Sequence, residues 1–439
     1  MKYDLFFQLA KEAGIEECEL YIRQSYALSI SLFHDEIDNY SSNNGYAIIA
    51  RGKVNGKLGV ASADVWNKEK AAYLVKEIKE NALVIENEDP VVIFPGSPKY
   101  KKVNTFNKDL EKVSIEEKIA KLHQLEKEIR AFDERIVEVS GVEYAEGRDE
   151  VIIMNSNGLK LSQKSNNYYY AGACVAKQDE QMKSGFDIIL HNDFNKVDIK
   201  ALAAKIGKDT VDQLGGEACD TGVYKAVLAP HVVSSLLHAY LSNISAEEVQ
   251  KKSSLFIGKL GEKIASSKLT VEDLPLSKTV YARWFDDEGV ATYNKALIKN
   301  GVLQTYLYDL TTASKEGKQS TGNGFGAGKK HPHTEFVSVK PGKKSQEQLF
   351  EEVEEGVYIT EVSGLHAGLN AQSGNFSLQS SGYLIKNGKR DRGLDIITIS
   401  GNLMDIFKDV ISVGNDLELF TSGTLCPSLL IKKITVSGK

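Results

Sequence analysis

This chain of 439 residues has few cysteines, no long apolar run and no excess of positive charge. The four cysteines, Cys18, Cys174, Cys219 and Cys426, lie far apart and form no Cys-x-x-Cys pair. That pattern favours a reducing compartment over a disulfide-linked secreted protein. No apolar run approaches the ~20 residues that cross a bilayer, and early acidic residues argue against a signal peptide. We therefore expect a cytoplasmic protein with no membrane contact.

The charge balance is slightly acidic, with a formal net charge of −6 at pH 7. Nucleic-acid binding needs a basic surface that neutralises phosphates, so we expect no nucleic-acid partner. Hydrophobic residues make up 42% and charged residues 26% of the chain, which is typical of a soluble globular protein. The length favours two to three domains.

The first 216 residues predict two α/β units. In residues 1–85, a helix over 3–13 precedes four strands and a second helix over 67–81, with Asn55-Gly56 as a hairpin turn. Residues 86–112 are proline-containing and are predicted to be a linker. In residues 113–216, Ser114-Ile115-Glu116-Glu117 is a capping-box pattern that opens a helix reaching residue 132. Strands are predicted at 136–146, 150–154, 159–165, 168–177 and 184–189, and a helix over 198–214 closes the unit.

A faint internal echo links the two units. Ser42-Asn43-Asn44-Gly45-Tyr46-Ala47 resembles Ser165-Asn166-Asn167-Tyr168-Tyr169-Tyr170-Ala171, and each segment leads into strands and then a helix. The echo is compatible with a diverged duplication or with chance, because short Asn-rich segments recur. Residues 217–439 predict a β-rich domain, sheet or barrel-like, with a turn at Asn300-Gly301 and helices over 346–356 and 402–410. The predicted fold class is α+β, with two α/β units before a β-rich C-terminal domain.

The stretch from Ala229 to Asn243 predicts a helix with Pro230 at its first position. Apolar residues recur at helical spacing, and His238 lies on the flank of that stripe. A zinc-peptidase helix needs two histidines and a glutamate base. Ala239 cannot act as a base, and Asn243 is a poor zinc ligand. We predict no metal-binding, cofactor-binding or catalytic residue in this chain.

Other candidate residues have structural explanations that compete with functional ones. Residues 320–330 are glycine-rich but lack the Ser or Thr that a phosphate-binding loop requires after Gly-Lys, which favours a mobile surface loop. His331 and His333 flank Pro332 and are expected to lie on opposite sides of an extended chain. His366 lies in a predicted loop and is a candidate to line a cleft. Cys426 is best explained as a buried thiol, although a Cys–His pair stays open.

Asp286, Asp287 and Glu288 form three adjacent carboxylates before Gly289. Paired acids can divide acid and base roles when their environments differ. Neighbouring side chains on a strand point to opposite faces, so at most two share a site. The competing explanation is an acidic turn in which Gly289 adopts a positive φ.

Seven short motifs, in matching order, make the C-terminal half resemble the TldD/PmbA family. They are 252–256 (Lys-Ser-Ser-Leu-Phe), 285–290 (Phe-Asp-Asp-Glu-Gly-Val), 300–303 (Asn-Gly-Val-Leu), 320–322 (Ser-Thr-Gly), 356–361 (Gly-Val-Tyr-Ile-Thr-Glu), 399–403 (Ile-Ser-Gly-Asn-Leu) and 413–416 (Val-Gly-Asn-Asp). In that family the TldD branch carries His-Glu-x-x-x-His on the corresponding helix and binds zinc. Laid on His238, the motif would need Glu at 239 and His at 243, so the resemblance implies the TldE/PmbA branch.

The resemblance implies a non-metal subunit of a cytosolic TldD/TldE protease that cleaves unfolded or extended peptides. Zinc would come from a TldD-like partner, and homodimerisation is a further expectation. His238, Asn243, Asp287, Glu288 and His366 would line the peptide cleft or face the partner. Two alternatives stay open: a self-contained hydrolase that uses His238, His366, Cys426 or the three carboxylates, and a peptide-binding scaffold without catalysis.

Overall fold

The computed structural model describes residues 3–86 and 89–439. It has the α+β fold with a β-rich C-terminal region that the sequence predicts. Among the described residues, no helix combines the length and apolar character that a bilayer crossing requires. Residues 1, 2, 87 and 88, which belong to the predicted first unit and linker, lie outside the described residues.

The amino-terminal half is built around one six-stranded antiparallel sheet in the order β3-β2-β1-β4-β5-β6. Its strands and helices are α1 (Asp4–Glu12), β1 (Glu17–Phe33), β2 (Glu36–Val54), β3 (Lys57–Ala63), α2 (Lys68–Val84), α3 (Ile115–Arg130), β4 (Ile136–Asn155), β5 (Lys160–Gln178), β6 (Gln181–His191) and α4 (Ile199–Val211). Both predicted units therefore contribute to a single sheet.

Several predicted strand boundaries are wrong because long strands run through polar stretches. The first unit has three strands rather than four, and β4 and β5 each join two segments that were predicted as separate strands. Polar cross-strand pairs continue the ladder at these points, such as Gln24 opposite Glu150 and Ser25 opposite Asp149. The turn at Asn55-Gly56 is confirmed, with φ of 50° and 74°. The capping box at Ser114 is also confirmed.

The two halves of this sheet share the element order α–β–β–β–α. The sheet is centred on the antiparallel pair β1–β4, so that β2 and β5 hold equivalent outer positions. Residues 42–47 lie on β2 and residues 165–171 lie on β5. The sequence echo therefore falls at matching places, as a duplicated unit would require.

The helices cover one face of the sheet and the C-terminal domain contacts the other. Leu20 and Ile22 pack with α1 and α2, while Leu28 and Ile30 pack with α3 and α4. Tyr21 points to the opposite face, because successive strand residues alternate, and it joins a cluster with Trp284 and Phe285. Residues 89–114, which precede α3, lie against the sheet, and their one helical turn is a short 3-10 helix at Leu110–Lys112.

The C-terminal region contains two six-stranded sheets and a small two-stranded one. Its strands are β7 (Gly222–Leu228), β8 (Val271–Asp273), β9 (Lys295–Lys299), β10 (Val302–Leu303), β11 (Gly324–Phe325), β12 (His331–Pro332), β13 (Val337–Val339), β14 (Gly356–Ser363), β15 (Asn375–Lys386), β16 (Lys389–Asn402), β17 (Val410–Val413), β18 (Glu418–Leu419), β19 (Thr424–Cys426) and β20 (Leu429–Ser437). Its helices are α5 (Pro230–Leu241), α6 (Ala246–Gln250), α7 (Leu310–Lys315), α8 (Gln346–Val353), α9 (Leu365–Gly368) and α10 (Leu403–Lys408).

One of these sheets closes on itself, as the barrel-like prediction allows. The order is β16-β15-β14-β7-β20-β17, and β16 also pairs with β20 over Thr398–Ser400 and Thr435–Ser437. Five strands thus form a ring. The strand β7 leads directly into α5, which packs against β14, β19 and α10. The position of α5 is therefore fixed by the closed sheet.

Candidate functional site

The helix α5 carries the first candidate residue. Pro230 occupies its first turn, and the apolar stripe is buried through Val232, Leu236 and Tyr240, as predicted. The Tyr240 hydroxyl donates to the Ile264 carbonyl at 2.7 Å. His238 lies outside this stripe and is exposed. The apolar pattern therefore sets the rotation of the helix and turns His238 toward solvent.

A cleft of about 460 Å³ lies beside the C-terminal end of α5. We call it the α5 cleft. Its walls come from several separate parts of the C-terminal region, among them α5, β12, the segment after Asn370 and β19. The lining residues include His238, Asn243, Glu247, His331, His333, Gln372 and Thr424. Its size is typical of a small-ligand or peptide side-chain pocket.

Asn243 lines this cleft but is largely occupied by structural hydrogen bonds. Its side chain is 2% exposed. Its Oδ1 accepts from the Leu255 backbone N–H at 2.7 Å, and its Nδ2 donates to the carbonyls of Ala371 at 3.0 Å and Ala239 at 3.3 Å. The amide therefore ties the end of α5 to two neighbouring segments. An amide engaged in this way is not free to bind a metal ion.

The rim of the α5 cleft is charged around Glu247. Lys251 and His331 contact its carboxylate at 2.8 Å, and Lys329 does so at 3.4 Å. Burial opposes its ionisation, but hydrogen bonds from His331 and Lys251 lower the pKa of Glu247 to about 2. His331 and His333 face different carboxylates, since His333 pairs with Glu335 at 3.4 Å. Burial lowers the pKa of His333, Glu335 raises it, and the net direction is upward.

His366 does not line the α5 cleft. It is exposed on α9, a helix of one turn. Its neighbour Leu365 borders a second groove of about 720 Å³, which lies between α5 and the β6–α4 layer and shares His238 with the α5 cleft. His366 therefore stays a candidate only for contact with a partner.

The three adjacent carboxylates are buried, which corrects the predicted placement of Asp287 and Glu288 in a cleft or at a partner surface. Asp286, Asp287 and Glu288 are 0%, 5% and 2% exposed. They form a turn, which we call the acidic turn, that is pressed between the C-terminal region and the amino-terminal sheet. Gly289 has a φ of +83°, as predicted. Burial of three acids was not foreseen because one counter-charge, Arg51, comes from β2, and the contact of nearby Arg283 with Asp287 depends on how the turn folds.

Each carboxylate of the acidic turn has its own set of donors. Asp286 accepts the backbone N–H groups of Glu288, Val290 and Gly324. Asp287 accepts from Arg283 at 2.6 Å and from the Tyr21 hydroxyl at 3.3 Å. Glu288 accepts the Leu310 backbone N–H at 2.7 Å. All three side chains are therefore held in fixed positions.

These environments separate the acidities of the three groups. Burial raises the pKa of Asp286 to about 7, although its three N–H donors act in the opposite direction. Burial and the charges of Asp286 and Asp309 raise the pKa of Glu288. Burial also disfavours the charged form of Asp287, but the neighbouring Arg283 lowers its pKa overall. Such divergence is common at catalytic sites, yet here it occurs where solvent has almost no access.

The glycine-rich segment 320–330 is not simply a mobile surface loop, and that interpretation is wrong for residues 321–325. These residues are buried, and β11 pairs with β12. The backbone N–H groups of Gly324 and Gly326 donate to Asp286 and Asp287, both at 2.9 Å. At residue 324 a Cβ atom would lie 2.3 Å from the Glu288 carboxylate. Glycine is therefore required here by close approach to the acidic turn.

Lys330, at the end of the glycine-rich segment, is also buried beside the acidic turn. It is 8% exposed, lies 4.4 Å from the centre of the Tyr21 ring and donates to the Ala327 carbonyl. Burial and the nearby Arg51 lower the pKa of Lys330 to about 8. On the sheet side, Arg51 pairs with Glu19 at 2.5 Å. The sequence analysis did not predict this network of buried charges. Glu19, a charged residue between apolar strand neighbours, was a signal that could have indicated it.

Cys426 is a buried thiol, as predicted. Its Sγ donates to the Pro230 carbonyl at 3.2 Å, and burial raises its pKa. Because a helix rises 1.5 Å per residue, this end of α5 lies about 12 Å along the axis from His238. The geometry does not pair this cysteine with that histidine. All four cysteines are free thiols and buried.

The donor set near α5 does not fit a zinc site. Zinc in peptidases takes three protein ligands from His, Glu, Asp or Cys. In the described part of the chain, no three such side chains converge in a way that holds a metal ion. At the two positions where a motif starting at His238 would continue, the chain has Ala239 and the engaged Asn243. We therefore derive no chemical step through a metal in this chain.

Known structures share this arrangement of sheets and helices. A crystal structure from Thermotoga maritima, described as that of a candidate modulator of a DNA gyrase, is 32% identical and has a TM-score of 0.92, with 99% of each chain covered. TldE from Thermococcus kodakarensis has the same fold, with a TM-score of 0.91 over 99% of this chain and 100% of that one at 24% identity. A metalloprotease PmbA homologue from Buchnera aphidicola is 28% identical over 432 residues, which cover 96% of this chain and 93% of that protein.

The fold thus defines a protein related to metalloproteases. Residues 18–82, 108–214 and 221–438 match domain 1, the central domain and the C-terminal domain of the PmbA/TldA metallopeptidases. The chain belongs to that family, which confirms the resemblance carried by the seven sequence motifs.

Proposed function

We propose that this chain is a TldE/PmbA-type subunit without its own zinc site, working with a TldD-like metalloprotease subunit in the cytoplasm. The partner supplies the zinc, the glutamate base and the attacking water. This chain completes the cavity and helps to hold unfolded or extended peptides. The proposal depends on the family membership and on the chemistry of the α5 cleft.

The observation that carries the proposal is the set of hydrogen bonds made by the Asn243 side chain. On the helix where the TldD branch binds zinc, this side chain satisfies the Leu255 N–H and two carbonyl groups instead. Ala239 removes the base from the same helix. The cleft around them keeps its walls and about 460 Å³ of space. A retained cleft without ligands is what we expect of a subunit that binds a peptide but does not cleave it.

The α5 cleft has features that suit an extended peptide. Its lining mixes backbone edges, amide and hydroxyl groups with apolar side chains such as Leu241 and Leu297. Peptide sites commonly pair main-chain hydrogen bonds with pockets for alternate side chains. The ionised Glu247 and the raised pKa of His333 place charges of both signs at the rim.

The first test measures zinc and cleavage in the purified chain. We expect substoichiometric zinc and no cleavage of an unstructured peptide until a TldD-like subunit from the same genome is added. One zinc per chain, or cleavage by the chain alone, would overturn the proposal.

A second test asks whether the α5 cleft holds the peptide in the mixed complex. His238→Ala should raise KM without changing the zinc content, because His238 borders the cleft and binds no metal. His231→Ala is the matched control, since His231 is exposed on the same helix but lines only the second groove. Equal KM values for both variants would remove the α5 cleft from the peptide path.

A further inference from the structure

The loop between β11 and β12 carries one rim of the α5 cleft. The two strands pair at only two positions, and His331 at the end of the loop lines the cleft. We call residues 327–331 the cleft loop. Its last two side chains point in opposite directions, with Lys330 directed to Tyr21 in the interior and His331 directed to Glu247 on the rim. Because the two residues are consecutive, a movement of Lys330 must also move His331.

The outer contacts of the cleft loop cross the rim of the α5 cleft. Glu247 lies on α6 and His331 on β12, and both line the cleft, so their 2.8 Å contact joins two of its walls. Lys329 adds a second contact to the Glu247 carboxylate at 3.4 Å. The side chains of His331 and Lys329 are 50% and 72% exposed, and exposed ion pairs contribute little stability. The rim is therefore closed by contacts that cost little to break.

The inner contact of the cleft loop is a buried lysine. None of the described carboxylates lies within ion-pair distance of Lys330, whose ammonium lies 4.4 Å from the centre of the Tyr21 ring and donates to the Ala327 carbonyl at 3.1 Å. The charged and titratable groups that face it are Tyr21 and Glu19 on β1, Arg51 on β2, and Asp287 and Glu288 of the acidic turn. Burial and the charge of Arg51 outweigh the three carboxylates and lower the pKa of Lys330 to about 8. The charged side chain therefore opposes its own insertion.

The backbone confines movement to the cleft loop. Before the loop, the Gly326 N–H donates to Asp287 at 2.9 Å, and after it the His333 N–H donates to the Asn323 carbonyl at 3.1 Å. Between these two fixed points, a Cβ at Gly328 would meet no atom within 4 Å. Residues 327–331 can therefore move while both ends of the loop stay in place.

We propose that the cleft loop is a gate of the α5 cleft, which is closed in this structure by insertion of Lys330 beside Tyr21 and opens when that side chain is withdrawn. Opening separates His331 from Glu247 and lets a ligand enter between the two walls. Loops that move as units control access to many binding sites. The movement concerns this chain alone, whereas the identity of the ligand as an extended peptide rests on the proposed function.

The gate should open less readily at higher pH. The pKa of Lys330 is about 8 when the side chain is inserted and returns to its ordinary value of 10.5 when it is withdrawn. The charge therefore opposes insertion fully below about pH 8, and this opposition is lost as pH rises from 8 to 10.5. With these two pKa values, the open fraction falls about twentyfold between pH 7.5 and pH 9.5.

Trypsin cleavage after Lys329 in the full chain measures this opening. Cleavage requires the residues around the bond to leave the fold, so its rate relative to that in a free peptide of residues 322–336 follows the open fraction at each pH. We expect this ratio to fall about twentyfold from pH 7.5 to pH 9.5 in the native chain. A ratio that does not fall with pH would overturn the proposal.

Replacing Lys330 by methionine separates the charge from the length of the side chain. In Lys330→Met the cleavage ratio, taken against a peptide with the same substitution, should be lower than in the native chain at pH 7.5 and independent of pH, because the apolar side chain stays inserted. Lys318→Met is the control, since Lys318 is 45% exposed and lies outside the cleft loop, and it should behave like the native chain. Cleavage of Lys330→Met at the native ratio would overturn the proposal.

Peptide association in the complex with a TldD-like subunit tests entry. Lys330→Met should slow the association of an unstructured peptide severalfold, whereas Lys318→Met should not, because only the first variant holds the gate closed. Association of Lys330→Met at the native rate would overturn the role of the cleft loop in entry. A failure of the proposed function would look different, since no form of the complex would then bind peptide, while the cleavage ratios of the chain alone would still decide whether the gate exists.

Discussion

Replacing Arg283 by methionine tests the buried network most directly. Arg283 contacts Asp287 at 2.6 Å, with side-chain exposures of 17% and 7%. A second pair, Arg23 and Asp149, has the same 2.6 Å separation but exposures of 50% and 29%. The two Arg→Met variants therefore remove the same contact from different surroundings, and Arg23→Met is a matched control.

The expected magnitudes differ because water can replace only the exposed arginine. Breaking a buried pair leaves an uncompensated charge and costs about 3–5 kcal/mol, whereas exposed pairs contribute about 0–1 kcal/mol. Arg283 also lies over the rings of Phe285 and Phe325 at 5.9 and 5.3 Å, which adds to the loss. We therefore expect Arg283→Met to lower the free energy of unfolding several times more than Arg23→Met.

The stability loss of Arg283→Met should also depend on pH, in a direction that follows from the pKa of Asp287. Arg283 keeps the pKa of Asp287 below its usual value, so this group stabilises the native chain above the unfolded pKa and loses that effect as pH falls. Without Arg283, burial raises the pKa of Asp287, and the buried charge becomes more costly as pH rises. The deficit of Arg283→Met should therefore be larger at pH 8 than at pH 5.

Urea unfolding followed by tryptophan fluorescence provides the assay. The chain has two tryptophans, so a Trp66→Phe background leaves Trp284, next to the mutated residue, as the reporter. Each variant is compared with that background by its midpoint. Similar shifts for Arg283→Met and Arg23→Met, or a deficit that shrinks with rising pH, would refute the reasoning.

Three further predictions concern α5 and the acidic turn. Asn243→Ala should cost about 1–3 kcal/mol of unfolding free energy, because it leaves the half-buried Leu255 N–H without its partner. The exposed Ser242→Ala should cost much less, and urea midpoints compare the two variants. Because the pKa of Asp286 is raised to about 7, protonated Asp286 stabilises the native chain fully at low pH, and this contribution is lost as pH rises through about 7. The stability of Asp286→Asn relative to the native chain should therefore increase from about pH 4 to pH 7. A difference that stays constant with pH would contradict this. The double variant Ala239→Glu/Asn243→His should still hold less than one zinc per chain by elemental analysis, because no third ligand among the described residues converges on α5.

The elements that were predicted well are those whose signals are local. The capping box at Ser114, the proline at the start of α5 and the Asn-Gly turns each depend on a few consecutive residues. The identities of Ala239 and Asn243 are equally local, because they do not depend on the fold. Strand ends were predicted less well, since a polar stretch ends a strand only when no neighbour continues the ladder.

The tertiary structure decided which charges are buried. The acidic turn became a buried core element because Arg51 arrives from β2 and Arg283 turns back onto Asp287, and the glycine-rich segment folds over it. Arg51 is distant from residues 286–288 in sequence, and although Arg283 is near them, its contact with Asp287 depends on how the turn folds. The sequence by itself determined the capped helices and the turns, while long-range pairing decided burial and acidity, since these depend on which distant segments meet.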